Sequence, residues 1–301
     1  MAEFAALVER IRASFPALVF DRAVLNDDGD DHAVVVLDEA WVFRFPRADR
    51  SRTLLFPVEL KLLAALDGAS PIPIPRYVFV PPARDFGGYA LIVGEPLRQD
   101  LFAALAPNIQ DRVLDDLADL LRVVHALPEA VLAQGDGVIA REWTGEQFRR
   151  RWIEERRAPV GEVVGPSLLK EIDRFYDAYA VAPPPPREVV TQGDLTDTHM
   201  LLSPDHDRLA GVIDFGDACL GDPSYDFAFF FAWGDPAAEH VAQRYDLSGE
   251  DPTLLARALG HFIRFRVEQL RRDAGDGATV DIQAILRDLP GRLQRYLSTP
   301  L

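Results

Sequence analysis

The chain has 301 residues, 48% of them hydrophobic and 27% charged, which suits a folded globular protein of one large domain or two lobes. Its net charge of −16 argues against a nucleic-acid partner and is compatible with a cationic one, although solubility alone also explains it. The stretch Phe227–Trp233 is too short to span a bilayer, the N-terminus has no secretion-signal pattern, and the single Cys219 excludes an internal disulfide. We therefore expect a cytoplasmic monomer without a membrane partner.

The first ninety residues predict a small lobe built on a β-sheet. Apolar residues at helical spacing over 3–15 precede a mixed series of elements. The series comprises strands at 19–25, 34–37 and 41–45, a helix at 56–66, and strands at 77–80 and 89–93. We expect this lobe to span residues 1–93, with a short hinge over residues 91–96.

Helical patterns dominate after residue 94. They are centred on residues 114–124, 143–157, 167–179, 254–271 and 282–297. Pro290 is expected to break or kink the last of these helices, because proline lacks the backbone donor that a helix interior requires. The prediction is an α+β fold with an antiparallel-sheet lobe over 1–93 and a larger, mostly helical lobe over 94–301.

Residues 189–226 concentrate polar chemistry between apolar runs. Two short strands, 200–202 and 211–213, are joined by a polar turn and predict a hairpin. Asp194, His199 and Asp214 border its open end. An acid in a loop, a polar residue five positions later and an Asp-Phe-Gly after the next strand form the layout of enzymes that transfer phosphoryl groups with magnesium.

Each of these three residues also has a purely structural interpretation. Asp194 follows Gly193 and would be either the general base for a hydroxyl or a cap of its own turn. His199 would bind Mg²⁺, which usually prefers oxygen, or form a hydrogen bond inside the hairpin. Asp214 ends an apolar strand and could bridge metal and phosphates. Their fixed offsets in one stretch favour the catalytic interpretation.

A nucleotide site is predicted around Arg44. Trp41, Phe43 and Phe45 alternate with Arg44 along one strand, so Arg44 points to the opposite face of the sheet. No lysine precedes Lys61, which makes Arg44 the best-placed cation on a strand to hold nucleotide phosphates. Glu59 on the following helix is its expected ion-pair partner. The alternative is an exposed arginine and a solvated glutamate.

Two further segments complete the predicted nucleotide site. The turn at 26–32 contains one glycine, Gly29, and is a weak candidate for a loop that covers the phosphates, since its four aspartates would have to point away. Backbone groups near Ile92 and Gly94 are expected to contact the base, which leaves the choice between ATP and GTP open. Motifs of nucleotide-loop ATPases, serine hydrolases and zinc proteases are absent from the sequence.

Six short segments of the sequence occur in the same order as in a known enzyme family. They are Trp41–Arg47, Pro73–Pro75, Gly94–Leu97, Leu120–Leu127, Val212–Asp217 and Gly221–Pro223. Over nearly the whole length, this order resembles the aminoglycoside phosphotransferase family, which has a protein-kinase-like fold. The resemblance implies that Asp194 is the catalytic aspartate and that His199 and Asp214 are the Mg²⁺ ligands.

Three positions distinguish this chain within the family that it resembles. Histidine at position 199, where most members have asparagine, is similar to the aminoglycoside 2''-phosphotransferases and the macrolide 2'-phosphotransferases. Gln192 stands where a histidine usually precedes Gly-Asp, and Arg44 stands where a lysine is common. Gln192 can still form hydrogen bonds and brace the loop, so we expect tuned activity. A non-catalytic, nucleotide-binding pseudokinase is the alternative from another functional class.

The resemblance implies a kinase that transfers the γ-phosphoryl group of ATP or GTP to a hydroxyl of an aminoglycoside and thereby confers antibiotic resistance. Four acids are expected to pair with substrate ammonium groups: Asp217, Asp235, Glu239 and Glu268. The net charge favours such a cationic antibiotic. The alternative substrate is a macrolide or another small-molecule hydroxyl, for which Phe229–Phe231 and Trp233 could build an apolar pocket.

Overall fold

The computed structural model describes residues 2–26, 32–47, 56–135, 137–140, 145–245, 249–276 and 282–299. The chain falls into two compact units. Unit 1 contains residues 1–139 and 190–220, and unit 2 contains residues 140–189 and 221–301. The predicted lobe boundary at residue 93 lies inside unit 1 and stays a prediction.

Twelve strands are found in the described residues. They are β1 (Ala23–Asn26), β2 (His32–Leu37), β3 (Trp41–Pro46), β4 (Tyr77–Phe79), β5 (Gly87–Ala90), β6 (Glu95–Pro96), β7 (Ala133–Gln134), β8 (Gly137–Val138), β9 (Val189–Thr191), β10 (Met200–Leu202), β11 (Leu209–Val212) and β12 (Cys219–Gly221). The first five form one antiparallel sheet in the order β1-β2-β3-β5-β4. A smaller sheet has the order β11-β10-β6.

Eleven α-helices are found in the same residues. They are α1 (Ala2–Ser14), α2 (Phe56–Leu66), α3 (Gln99–Ala104), α4 (Pro107–His125), α5 (Gly145–Arg151), α6 (Arg157–Val163), α7 (Pro166–Ala180), α8 (Ser224–Phe227), α9 (Asp235–Tyr245), α10 (Leu254–Asp276) and α11 (Ile282–Ser298). Glu129–Leu132 and Ala228–Trp233 form 3₁₀ turns, and Trp152–Arg156 forms a π-helical turn. None of the helices within the described ranges is long and apolar enough to cross a membrane.

The alternating pattern of β2 and β3 decides which face of the large sheet is apolar. Val35, Leu37, Phe43 and Phe45 are buried in one cluster that also includes Ile11 of α1. Successive strand residues point to opposite faces, so the intervening residues of both strands occupy the other face. That second face carries the polar residues of the candidate site.

Two strands differ from the sequence prediction for local reasons. The segment predicted to begin a strand at residue 19 enters the sheet only at Ala23. Before that point, the backbone N–H groups of Asp21 and Arg22 donate to the carboxylate of Asp38 instead of to a neighbouring strand. The strand predicted at 89–93 is β5 and covers Gly87–Ala90 instead. It begins with two glycines, and a Cβ atom at Gly88 would lie 2.6 Å from the ring of Phe43, so glycine permits the close approach of β3.

The predicted hairpin is formed by β10 and β11 in unit 1. Met200 pairs with Val212, and Leu201 pairs with Gly211. The second strand ends at Val212, one residue earlier than expected, but the N–H of Ile213 still donates to the carbonyl of His199 over 2.9 Å. This bond ties the residue before Asp214 to the start of the hairpin.

Unit 2 is built from helices around an aromatic core. Trp152 stacks on Tyr176 with ring centroids 4.8 Å apart, and its Nε1–H donates to Asp173. The helix predicted at 143–157 is α5 from Gly145 onward, its first two residues lying outside the described ranges; it changes at Trp152 into a π-helical turn and continues as α6. Helix α11 runs through Pro290 over Ile282–Ser298, so the predicted break is not observed, and a kink there stays a prediction.

A buried ion-pair network fixes the start of α8 against α10 in unit 2. Asp222 accepts a hydrogen bond from the N–H of Ser224 and pairs with Arg257, which also contacts Asp251. Burial alone would raise the pKa of Asp222, but hydrogen bonds from His261 and Arg257 hold that pKa well below its ordinary value. The ionised carboxylate is thus the form that stabilises this region.

We expect Asp222→Asn to lower the free energy of unfolding by about 2 kcal/mol at neutral pH, because the buried Arg257 loses one of its two carboxylate partners. A carboxyl group whose pKa is lowered in the folded state contributes its full stabilisation at pH values above the ordinary aspartate pKa of about 3.9. The stabilisation is lost as the pH falls through the folded-state pKa.

Urea unfolding at stepwise lower pH should therefore give free energies of unfolding for the wild type and Asp222→Asn that converge in acid. Asp177→Asn removes an exposed partner of Arg149 and should have a far smaller effect; a pH-independent Asp222→Asn difference would contradict the account.

Candidate active site

The guanidinium of Arg44 joins three elements of unit 1. Its Nη1 donates to Glu59 of α2 over 2.6 Å, and its Nη2 donates to Oδ1 of Asp214, also over 2.6 Å. The Arg44 side chain is 5% exposed and that of Glu59 is 1% exposed. The ion pair inferred from the sequence is therefore present and buried, and it extends to the aspartate of the Asp-Phe-Gly segment.

Burial and charge act against each other in this cluster. Burial alone would raise the pKa of Asp214, but the charge of Arg44 and its hydrogen bond hold that pKa below the ordinary value. For Glu59, burial prevails over the attraction of Arg44 and the pKa is raised. The pKa of Arg44 is raised well above its ordinary value, because the neighbouring carboxylates overcome burial. Asp214 is thus the carboxylate that stays ionised most readily.

His199 lies between the two aspartates that the sequence places around it. Its Nδ1 is 2.8 Å from the backbone carbonyl of Asp194, which can only accept, so Nδ1 carries the proton. The Nδ1 atom is also 3.3 Å from Oδ2 of Asp194, and Nε2 is 3.8 Å from Oδ2 of Asp214. In the neutral tautomer Nε2 is then the nitrogen with the free electron pair, and it lies on the side of the ring that faces the Asp214 carboxylate.

Nε2 of His199 and Oδ2 of Asp214 lie 3.8 Å apart. An imidazole nitrogen and a carboxylate oxygen are both donors to divalent cations, so these two residues are the ones that would hold such an ion. A fixed Nδ1–H hydrogen bond is the usual way in which a protein orients a metal-binding imidazole. No cluster of three or more His, Cys, Asp or Glu suited to a metal occurs in the described part of the chain. The remaining ligands would be water and phosphate oxygens, which Mg²⁺ commonly retains.

Gln192 braces the loop that carries Asp194. Its side-chain amide donates to the carbonyl of Asp214 over 2.5 Å, and its Oε1 accepts from the N–H of Asp194 over 2.8 Å. Gly193 has φ +89°, and a Cβ there would lie 2.1 Å from the carbonyl oxygen of Asp217. A fully buried glutamine and a glycine thus place Asp194, whose side chain is 40% exposed, beside the Asp214 segment.

Three further residues were predicted to contact the nucleotide, and the structure describes two of them, Ile92 and Gly94. Gly29 lies outside the described residues. Ile92 and Gly94 lie in the connection between β5 and β6, next to a hydrogen bond from the N–H of Leu91 to the carbonyl of Ala40. A Cβ at Gly94 would lie 2.6 Å from the carbonyl of Leu202, so this connection is packed closely against β10. Contact of Ile92 and Gly94 with a base remains a prediction.

Three of the four predicted substrate acids lie in unit 2 and already have arginine partners. Asp235 pairs with Arg292 and Arg295. Glu239 also pairs with Arg295, and Glu268 pairs with Arg156 and Arg271. Asp217 differs from them, because it belongs to unit 1 and directly follows the Asp-Phe-Gly segment. A substrate ammonium group would have to displace an arginine at the first three acids.

Two residues of the site were missed in the sequence. The Nδ1 atom of His32 lies 3.0 Å from Nη2 of Arg44, and the hydroxyl of Tyr77 donates to Glu59 over 3.3 Å. The alternation in β2 could have placed His32 on the face of Arg44, since Val34 pairs directly with Arg44 and His32 lies two residues earlier. No sequence signal links Tyr77 to Glu59.

Comparisons with solved structures show the same fold in proteins of low identity. The GDP and kanamycin complex of APH(2'')-IIIa aligns with a TM-score of 0.74 at 22% identity, covering 98% of this chain and 99% of that one. The streptomycin–ATP complex of APH(2'')-IIa gives 0.60 at 18% identity, covering 88% and 89%. The macrolide 2'-phosphotransferase MphH from Brachybacterium faecium gives 0.59 at 22% identity, covering 98% and 99%. These likenesses confirm the predicted protein-kinase-like α+β fold.

Comparison at the sequence level identifies the family. No curated protein matches the chain. The profile of the family described as "Phosphotransferase enzyme family" matches residues 22–261, which include Arg44, Glu59, Asp194, His199 and Asp214. The resemblance inferred from the motifs is therefore confirmed, and the chain belongs to the phosphotransferase enzyme family.

Proposed function

We propose that this protein transfers the γ-phosphoryl group of ATP or GTP to a hydroxyl of an antibiotic, with an aminoglycoside as the main candidate. The observation that carries the proposal is the convergence of Asp194, His199 and Asp214 with buried Arg44 in unit 1. The group combines an exposed carboxylate, two metal-compatible donors and a fixed cation. Phosphoryl transfer requires these functions and little covalent chemistry from the protein.

Each residue has a distinct role in the proposed reaction. Asp194 orients the acceptor hydroxyl and takes its proton while the oxygen forms a bond to the γ-phosphorus. The bond from that phosphorus to the bridging oxygen breaks, and ADP or GDP leaves. Asp214 and His199 would hold Mg²⁺, which supplies charge neutralisation at the phosphates when it is bound. Arg44 adds a positive charge that Glu59 keeps in place.

The donor nucleotide remains open between ATP and GTP. Structures of the same fold contain GDP in one case and ATP in another, which supports a purine nucleotide as the donor. Backbone groups of the connection that contains Ile92 and Gly94 would bind the base, and N–H and C=O groups can form hydrogen bonds with either adenine or guanine. We therefore propose both nucleotides for testing.

The net charge of the chain supports a cationic acceptor, whereas the ion pairs of three predicted substrate acids argue against a strongly cationic one. The net charge of −16 and the aminoglycosides held by proteins of the same fold support a cationic antibiotic. The arginine partners of Asp235, Glu239 and Glu268 favour a substrate with fewer ammonium groups, so a macrolide is the second candidate. Phe230 and Phe231 are buried in the core of unit 2, so of the aromatic residues considered for a macrolide pocket only Phe229 and Trp233 would line it.

The bracing by Gln192 supports turnover over a pseudokinase. A histidine at this position would use its ring nitrogens to orient the loop, and Gln192 forms two hydrogen bonds of the same kind. Asp194 keeps its placement beside His199 and Asp214 as a result. The loss of the usual histidine therefore does not remove the catalytic arrangement.

Phosphotransfer should be measured with ATP and GTP against a panel of aminoglycosides and macrolides. We expect at least one pair to react and Asp194→Asn to lower kcat by about 10²- to 10⁴-fold, because the variant cannot accept the hydroxyl proton. Asp100→Asn on the exposed start of α3 is the matched control and should react as the wild type. No transfer to any panel member, or full activity of Asp194→Asn, would contradict the proposal.

Gln192→Ala should lower kcat by about 100-fold, because it removes both hydrogen bonds that position Asp194. Gln110→Ala provides the control, since Gln110 also bonds to backbone carbonyls of unit 1 but lies outside the site. Steady-state kinetics and thermal melting should be recorded for both variants. Equal kinetic losses in the two variants would show that Gln192 acts through the fold alone.

His199→Ala should increase the Mg²⁺ concentration needed for half-maximal stabilisation by nucleotide, by about tenfold, because one of two protein ligands is lost. The measurement is the melting temperature at fixed nucleotide and increasing Mg²⁺. His206→Ala is the control, because His206 contacts Glu95 on the surface of unit 1. An unchanged Mg²⁺ dependence in His199→Ala would exclude His199 as a ligand.

A further inference from the structure

His32 is a buried histidine next to the guanidinium of Arg44. It is the first residue of β2 and is 5% exposed. Its Nδ1 atom is 3.0 Å from Nη2 of Arg44, the same nitrogen that donates to Asp214. A Cβ at Gly216 would lie 3.5 Å from the His32 ring and 3.8 Å from Nη2, so both groups lie over the Asp-Phe-Gly segment.

The contact fixes the protonation of the His32 ring. A guanidinium has five N–H donors and no acceptor. Nδ1 of His32 must therefore accept the hydrogen bond, and the proton of the neutral ring is on Nε2. An imidazolium at this position would point an N–H at a cation. His32 is thus a neutral acceptor for Arg44.

Arg44 requires a hydrogen-bond acceptor at this position because the donors of a guanidinium have fixed directions. A lysine presents three rotatable donors from one nitrogen, whereas Arg44 presents donors in a rigid plane that cannot be reoriented one at a time. Glu59 serves Nη1, and Asp214 serves one N–H of Nη2. The second N–H of Nη2 is directed to His32. A buried donor without a partner would cost about 1–3 kcal/mol.

We propose that His32 is a positioning residue that fixes the plane of the Arg44 guanidinium and so enables an arginine to hold the nucleotide phosphates. His32 and Arg44 form a matched pair under this proposal, and the histidine matters only while position 44 carries arginine. The inference rests on the proposed function, because it assigns phosphate binding to Arg44. Its structural part is independent of turnover.

Substitution of His32 by amide side chains distinguishes the contribution of Nδ1 from that of Nε2. In His32→Asn the amide oxygen takes the place of Nδ1, whereas in His32→Gln the amide takes the place of Nε2. We expect His32→Asn to keep the Kd for Mg²⁺-nucleotide within about threefold of the wild type, and His32→Gln and His32→Leu to weaken it about tenfold, or about 1.4 kcal/mol. Titration calorimetry gives Kd without turnover, and melting of the nucleotide-free proteins checks folding.

A double-mutant cycle with Arg44→Lys tests the pairing itself. His32→Leu should weaken nucleotide binding about tenfold in the arginine background and less than about twofold in the lysine background. Equal losses in both backgrounds would overturn the proposal and show that His32 acts without Arg44. Retention by His32→Gln with loss in His32→Asn would also overturn it, because Nε2 would then be the active atom.

Nitrogen-15 NMR of the nucleotide-free protein distinguishes failure of this inference from failure of the proposed function. We expect the His32 signals of a neutral ring protonated on Nε2, with Nδ1 accepting a hydrogen bond that Arg44→Lys changes. An imidazolium, or a ring protonated on Nδ1, would overturn the inference even in an active enzyme. The expected signals in a protein that transfers no phosphoryl group would support the pairing and contradict only the proposed function.

Discussion

The buried guanidinium of Arg44 is the constraint on which the candidate site depends. A cation that has lost its water must be compensated by nearby anions and acceptors, and removing one partner of such a group destabilises a protein strongly. Glu59 and Asp214 provide that compensation from positions 15 and 170 residues away in the sequence. The charge balance therefore brings together a sheet strand, the helix α2 and the Asp-Phe-Gly segment.

Hydrogen bonds to the segment around Asp214 position the other two residues of the site, His199 and Asp194. The hairpin of β10 and β11 ties His199 to the residue before Asp214, and Gln192 ties Asp194 to the carbonyl of Asp214. Backbone and amide hydrogen bonds thus fix the positions of Asp194 and His199. The whole arrangement lies within unit 1.

Part of this arrangement could be predicted from the sequence. Strand alternation puts Arg44 on the face opposite the aromatic residues, and Glu59 is the acid that the following helix offers as its partner. The partners of the predicted substrate acids could not be found in this way, because pairs such as Asp235 with Arg292 depend on how distant helices pack. His32 belongs to no motif. Strand alternation could have put it on the face of Arg44, but only the structure shows that its ring contacts the guanidinium.

The central claim is that the Arg44 cluster binds a magnesium–nucleotide complex. The most direct test is calorimetric titration of ATP and GTP, with and without Mg²⁺, into the wild type and Arg44→Met, after melting curves confirm that both are folded. The account predicts Mg²⁺-dependent binding of at least one nucleotide by the wild type and a loss of about 100-fold in Arg44→Met, equivalent to about 2.7 kcal/mol. Absence of binding by the folded wild type, or equal affinity in Arg44→Met, would contradict it.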